Sequence, residues 1–487
     1  MTAHPAIVWF RRDLRLADNP ALAAALNNHR RIVPVYIHAP DEEAPWAPGA
    51  ASRWWLQHSL TALDARLREH GSGLVIRHGR TLETLRQLIA ETGANAVHWN
   101  RLYEPATIAR DTEVKEALRA EGTAAHSHNA ALLFEPWSLT TQSGGPYRVF
   151  TPFWKACLRQ GLPEQGEALS EIPPETLLPS AAHSAALDTL GLLPTIPWDA
   201  GFNDHWQPGE AGAWNMLREF LDHAGARYAK DRDRPGQRST SRLSPHLHFG
   251  EIGPRQIVHA VRARQAADAR PGAHASLDSL LRELGWREFS HHLLYHFPHT
   301  PATALDERFA RFAWRRDDAD LLAAWQRGRT GIPLVDAGMR ELWHTGWMHN
   351  RVRMVVASFL TKNLLLPWQD GARWFWDTLV DADLANNTQG WQWTTGCGAD
   401  AAPYFRVFNP VLQSRKFDPD GVYLRRWLPE LACLPDTALH APWEAPEHVL
   451  RSARVRLGSD YPRPIVELRA SRQRALDAYA RIRVMPA

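Results

Sequence analysis

At 487 residues the chain is too long for one ordinary hydrophobic core and is expected to fold as more than one domain. Lys and Arg total 56 against 53 Asp and Glu, so the net charge of +3 neither demands nor excludes nucleic acid, while 44% hydrophobic residues exclude a disordered chain. Cys157, Cys397 and Cys433 form no C-x-x-C pair and no metal spacing, which points to reduced thiols, no metal and a cytoplasmic protein.

The start, MTAHPAIVWFRRD, lacks the apolar core of a secretory signal, and no run of 18 apolar residues is present to span a membrane. Short apolar runs at 7–10, 32–37, 74–76 and 96–99 read as strands. Ala- and Leu-rich stretches at 21–26, 54–67, 82–89 and 107–118 separate them and read as helices. This alternation predicts an α/β domain with a Rossmann-like parallel sheet, helices on both faces and a ligand edge at the strands' carboxyl ends. No G-x-G-x-x-G follows the first strand, so a standard dinucleotide site is not expected there.

Around 161–201 the pattern fails. Pro163, Pro173, Pro174, Pro179, Pro194 and Pro197 block helix interiors and central strands, which predicts a long connector. Helical periods then dominate, at 213–223, 277–296, 321–326, 335–343, 352–365 and 372–379. The expected division is an α/β domain over 1–135, a linker over 136–204 and an all-helical domain over 205–487.

Four constellations in the helical part carry chemistry. Residues 225–300 hold twelve basic and seven acidic side chains, which suits either a basic binding surface or a solvated helix face. Within them Tyr228, Arg232 and S-T-S-R-L-S-P (239–245) put three hydroxyls beside an Arg. That suits a diphosphate near a helix start, and equally an ordinary capping segment. Next, Glu283 and Trp286 are three apart and share a helix face, with Arg287 following. Acceptor, stacking plate and cation together could grip a base; an ion pair beside a core Trp is the plainer reading. In G-W-M-H-N-R-V-R-M (346–354), Arg351 and Arg353 diverge by about 200° on a helix and cannot serve one surface. Finally, D-A-D-L-A-N-N-T-Q-G-W-Q-W (381–393) sets dense polarity beside two indoles, as a polar ligand with a flat ring requires. The chain has 22 Trp against 9 Tyr; most must fill the core, and a minority is available for stacking or electron transfer.

Taken in order, W-F-R-R-D-L-R-L (9–16), T-S-R-L-S-P (240–245), W-M-H-N-R-V-R-M (347–354) and N-N-T-Q-G-W-Q-W (386–393) resemble the photolyase/cryptochrome family over nearly the whole chain. Within it the chain is most similar to bacterial cyclobutane pyrimidine dimer photolyases. The stretch A-P-W-A-P-G-A-A-S-R-W-W-L (44–56) is similar to the subgroup near plant cryptochromes.

The resemblance implies FAD, reduced to FADH⁻ in the active form, bound by the helical domain. Tyr228, Thr240, Ser241, Arg242, Leu243 and Ser244 would lie along the diphosphate and ribityl chain, with Ser239 standing where relatives often carry Gly. Arg353 and Asp381 would pair beside the isoalloxazine, Asp383 would meet its polar edge, and Asn387 would face N5. Glu283, Trp286, Arg287, Asn350, Arg351, Met354 and Trp393 would form the lesion pocket, with Arg232, Arg351 and Gln413 on the DNA backbone. Trp391, Trp368 and Trp314 would pass electrons to oxidised flavin. A second, antenna pigment is implied, with folate (methenyltetrahydrofolate) favoured over a deazaflavin; Glu104 and the Trp54–Trp55 pair are candidate contacts, or core residues.

The implied activity is light-driven splitting of cyclobutane dimers in damaged DNA, by a monomer without obligate protein partner. Two other outcomes stand within the family. One is a signalling cryptochrome, opposed by Trp393, by Asn387 in place of Asp and by the short stretch after the helical region. The other is a (6-4) photoproduct enzyme, which requires acid–base histidines; His349 is the candidate.

Overall fold

The computed structural model describes residues 4–163, 176–177, 182–268, 270–316, 318–401 and 405–484. Pro173, Pro174 and Pro179 of the expected connector therefore lie outside the described residues, as do Ala402, Pro403 and Tyr404. The chain divides into two compact units. Unit 1 comprises Met1–Ala226, Ser241–Pro298 and Val380–Asp383; unit 2 comprises Arg227–Thr240, His299–Leu379 and Leu384–Ala487.

Unit 1 is built on a five-stranded parallel sheet: β1 (Ala6–Phe10), β2 (Ile32–His38), β3 (Val75–His78), β4 (Ala96–Asn100) and β5 (Ala124–His128), in the order β3-β2-β1-β4-β5. The crossovers are α1 (Pro20–Asn28), α2 (Ala50–Glu69), α3 (Thr81–Thr92) and α4 (Pro105–Ala120). Local chemistry sets their ends. Asn19 caps α1 by accepting from Leu22 N at 3.2 Å, with Pro20 at the first turn, and α3 stops at Gly93, whose φ of 68° suits glycine. β1, β2 and β4 are buried throughout, which is why they read as continuous apolar runs. β5, A-A-H-S-H, was not expected: it is a half-exposed edge strand without an apolar run, aligned with β4 from Ala96↔Ala124 onward.

The helices of 241–298 belong to unit 1, so its compact body runs past the boundaries expected at 135 and 204. Close backbone contact explains this. Gly250 has φ 64° and stands where a Cβ would lie 2.3 Å from the Arg12 carbonyl oxygen. The buried Glu288 carboxylate accepts from Leu133 N and Phe134 N at 3.0 and 3.1 Å, tying helix Ala273–His296 to the chain that leaves the sheet. Beside that helix packs α5 (Phe150–Gln160).

Unit 2 is helical. Its framework includes Pro333–Thr345, Asn350–Ser358, Trp368–Thr378, Leu384–Thr395 and Leu468–Val484. The helix expected over 352–365 is regular only to Ser358 and widens into a π-helical turn at Phe359–Asn363. Among the described residues, no helix is long and apolar enough to cross a membrane, and no cluster of three His, Cys, Asp or Glu could hold a metal.

Candidate functional site

In unit 1 the segment after Ser241 turns sharply. Arg242 takes a left-handed φ of 52°, and its guanidinium lies over the Trp206 ring at 4.4 Å. Leu243 is buried, and Ser244 opens the short helix Ser244–His248 at the surface. Asp381 and Asp383 are only 8% and 7% exposed. Asp383 Oδ2 lies 3.4 Å from His291 Nε2 and 3.7 Å from His248 Nδ1. Burial alone would raise the Asp383 carboxyl, but His291, His248 and Arg287 carry it well below the usual range. At the carboxyl edge of the sheet, Arg12 pairs with Glu104 at 2.7 Å; burial opposes the Glu104 charge and Arg12 outweighs it, so that carboxyl is lowered. Glu104 is thus half of a half-buried ion pair.

Helix Ala273–His296 carries the other unit 1 candidates. Trp286 is half-buried with one face stacked on Phe150, centroids 3.7 Å apart and planes 9° from parallel. Glu283, on the same helix face, is also half-buried. Arg287 is half-buried. Its Nη1 donates to the Ala131 carbonyl at 2.6 Å, and its charge acts on the buried Asp383. The Trp54–Trp55 pair is interior, 1% and 0% exposed; Trp55 Nε1 donates to Glu251 at 2.9 Å.

In unit 2, Tyr228 is buried beneath the Arg232 guanidinium, 5.2 Å above its ring, and Thr240 is half-buried. The Ser239 hydroxyl donates to Asp231 O at 2.8 Å, so the residue replacing the relatives' Gly is engaged inside its own loop. The divergence read for Arg351 and Arg353 is present. Arg351 pairs with Asp233 at 2.9 Å and covers the Phe417 ring, while Arg353 Nε donates to Met348 O at 2.7 Å. Asn350 is exposed at the helix start, and Met354 Sδ lies 3.8 Å from Arg351. The half-buried Trp393 is oriented by Nε1 donating to Asp400 O at 3.1 Å, and Gln413 is half-buried on helix Pro410–Phe417. Asn387 Nδ2 donates to Ala372 O at 3.0 Å, which fixes the amide plane.

The three indoles expected to form a chain occupy one region of unit 2. Trp368 and Gly371 share a helix face, and a Cβ on Gly371 would lie 2.1 Å from the Trp391 ring, so that indole lies on the glycine. Arg315 N donates to Leu365 O at 2.7 Å, which brings the backbone beside Trp314 to the turn preceding Trp368. Trp391 and Trp368 are buried, and Trp314 is half-buried. His349 is held neutral as a structural cap: Nδ1 accepts from Arg351 N at 3.2 Å, and burial lowers its pKa to about 4.

Sequence reasoning missed His248 and His291. The second sits in S-H-H-L-L-Y-H (290–296), a histidine density unusual for a core helix and the one signal that could have marked it.

Residues 6–175 match the family described as DNA photolyase, and residues 280–481 match the FAD binding domain of DNA photolyase. The deoxyribodipyrimidine photo-lyase of Agrobacterium fabrum is 48% identical over 481 residues, covering 98% of each chain. The chain belongs to the photolyase/cryptochrome family. Cryptochrome-2 of Arabidopsis thaliana is 43% identical over 98% of this chain and 79% of its own. A bacterial class III photolyase from Agrobacterium tumefaciens superposes with a TM-score of 0.93 at 47% identity, over 100% of this chain and 99% of that one. The donor set of this photolyase-family chain fits a flavin nucleotide: a left-handed turn among hydroxyls and Arg for phosphate, and a buried carboxylate kept charged for a ring N–H edge.

Proposed function

We propose that the protein repairs cyclobutane pyrimidine dimers in DNA with light, using reduced FAD. The match to a deoxyribodipyrimidine photo-lyase along the full length of both chains carries this reading. When bound, FADH⁻ supplies the electron that light drives into the dimer and that returns after the ring opens. The chain's own residues bind, orient and exclude water. Tyr228, Thr240, Ser241, Arg242, Leu243 and Ser244 hold the diphosphate and ribityl chain, Arg353 and Asp381 flank the isoalloxazine, and Asp383 accepts from its polar edge. Asn387, an amide, offers N5 no readily released proton, which favours the anionic reduced form. Trp391, Trp368 and Trp314 would relay electrons from an external reductant to the oxidised cofactor.

On the substrate side, Trp286 and Trp393 are the apolar walls, and Glu283 accepts from the pyrimidine N–H groups. Asn350 and Met354 complete the pocket, while Arg232, Arg351 and Gln413 meet phosphate. Arg287 acts from behind, through Asp383 and the Ala131 loop. A dimer stacks poorly, so flipping it out costs less than flipping a normal base. The α/β part (1–135) serves as an antenna domain and 205–487 as the catalytic one, joined by 136–204. Folate is the proposed antenna pigment; Trp54 and Trp55 lie in the interior, while Glu104 is half-buried and paired with Arg12. A cytoplasmic monomer is proposed.

The test is repair of a dimer-bearing oligonucleotide under blue light beside a (6-4) oligonucleotide. Dimer repair alone is expected. Repair of the (6-4) lesion alone would overturn the assignment, against the neutral capping role of His349. Flavin photoreduction without repair of either would favour signalling, the reading that the 43% identity to a plant cryptochrome supports.

A further inference from the structure

Helix Ala273–His296 carries a buried histidine that the functional reading does not use. His291 is 5% exposed, and both ring nitrogens face oxygen. Nδ1 lies 3.0 Å from the carbonyl oxygen of Arg287, one turn back, and Nε2 lies 3.4 Å from Oδ2 of Asp383. Neither a carbonyl nor an ionised carboxylate can donate, so a ring with one hydrogen leaves one contact lone pair to lone pair. A ring with both hydrogens satisfies both and sets a cation against the carboxylate.

The groups that face Asp383 within unit 1 come from three places. His248 comes from helix Ser244–His248, at 3.7 Å, while His291 and Arg287 come from the long helix. Arg12 comes from the end of β1, with its partner Glu104 at the start of α4 and Glu43 acting on it more weakly. Behind His291 stand the Tyr103 ring, edge-on at 6.4 Å, and the Glu288 carboxylate. His291 Nε2, at 3.4 Å, lies closer to the Asp383 carboxylate than His248 Nδ1 does.

We infer that His291 is a positioning residue for the flavin, holding the Asp383 carboxylate charged and fixed so that it presents only acceptors to the N–H edge of the isoalloxazine. The inference rests on the proposal that Asp383 meets that edge. His291 lies eight residues from Glu283 on one helix, about 12 Å of rise, so one rigid element carries a lesion contact and the support of a cofactor contact. The direction of the Asp383 shift agrees: burial pushes the carboxyl up, and His291 is the largest influence pulling it down.

The experiment compares FAD-loaded wild type, His291→Phe, His291→Gln and Asp383→Asn, following flavin release by visible absorbance from about pH 5 to about pH 8. The wild type should release flavin at a nearly constant rate. His291→Phe fills the space without a donor, so its Asp383 should take up a proton as the pH falls, with release at least tenfold faster at the acid end. His291→Gln restores a donor near the Nε2 position and should flatten the profile. Should His291→Phe fail to fold by near-UV circular dichroism, His291→Asn, whose amide stops short of Asp383, carries the same comparison against His291→Gln. A folded His291→Phe or His291→Asn with the wild-type profile overturns the inference. Asp383→Asn should release flavin faster at every pH. If it matches the wild type, Asp383 does not meet the flavin, and the cofactor assignment fails instead.

Discussion

Each unit buries an aspartate, and the two behave oppositely. Asp383 of unit 1 is 7% exposed and surrounded by His291, His248 and Arg287, so its carboxyl is held well below the usual range. Asp336 of unit 2 is 0% exposed and accepts from neutral donors: Thr330 N at 2.7 Å, Thr330 Oγ1 at 2.6 Å, Gly331 N at 3.0 Å and Tyr461 Oη at 2.6 Å. Burial dominates there and raises the pKa to about 6. Burial alone therefore does not decide which way a carboxyl shifts. Asp336 accepts from neutral donors of its own unit and braces a loop, whereas Asp383 lies among His291, His248 and Arg287, which favour its charged form.

The largest expected effect tests this division. Asp336→Ala strips an acceptor from four donors at once, and at about 1–3 kcal/mol for each buried donor left unpaired the loss should reach at least ~4 kcal/mol in urea unfolding. Flavin content of the folded fraction should stay normal. Asp383→Ala should do the reverse, losing flavin with a smaller drop in stability. Matching losses in both assays would dissolve the comparison.

The two carboxylates should also separate by pH. Asp336 has a folded pKa of about 6, above its unfolded value near 3.8, so the folded state binds more protons in that interval. Its contribution is present below about pH 4 and lost as the pH rises through 6, a decline of ~3 kcal/mol. Asp383 is depressed, so its contribution is present above the ordinary carboxyl range and lost only as the pH falls below it. Asp336→Asn should remove the decline between about pH 4 and 6. An unchanged pH–stability curve in that variant would mean that Asp336 is charged throughout.

Smaller effects contrast two tryptophans. Trp286→Ala in unit 1 should cost roughly 1–3 kcal/mol in affinity for a dimer-bearing duplex and almost nothing for undamaged DNA, read by fluorescence anisotropy. Equal losses on both DNAs would mean that the Trp286–Phe150 stack is only packing. Trp391→Phe in unit 2 should cost about 1 kcal/mol of stability, because an aromatic filler remains. It should slow flavin photoreduction while leaving repair by chemically pre-reduced protein near wild type. Normal photoreduction would remove Trp391 from the electron path.

How much of this was legible varied with the kind of signal. Four of the five strands were readable because fully buried parallel strands are apolar runs; β5 was not, because A-A-H-S-H at an edge needs no such run. The opposite facing of Arg351 and Arg353 followed from helix geometry alone. The direction of Arg287 was not legible, because adjacency to Trp286 says nothing about where its guanidinium goes; its Nη1 donates to the Ala131 carbonyl. His248 and His291 were invisible because they meet Asp383 from separate elements, 135 and 92 residues away in the chain. Spacing rules read one helix or strand at a time and cannot register such a meeting.

The bare backbone at Gly371 also sets a distance. The Trp391 indole rests where a Cβ would stand, 2.1 Å from that position, so any side chain there must push the ring away or move the helix. Electron tunnelling falls off exponentially with the gap that the electron crosses. If Trp391 passes electrons to the flavin as proposed, a single methyl group at Gly371, with no redox chemistry of its own, would act as a spacer, and a lag in flavin photoreduction would report the added separation.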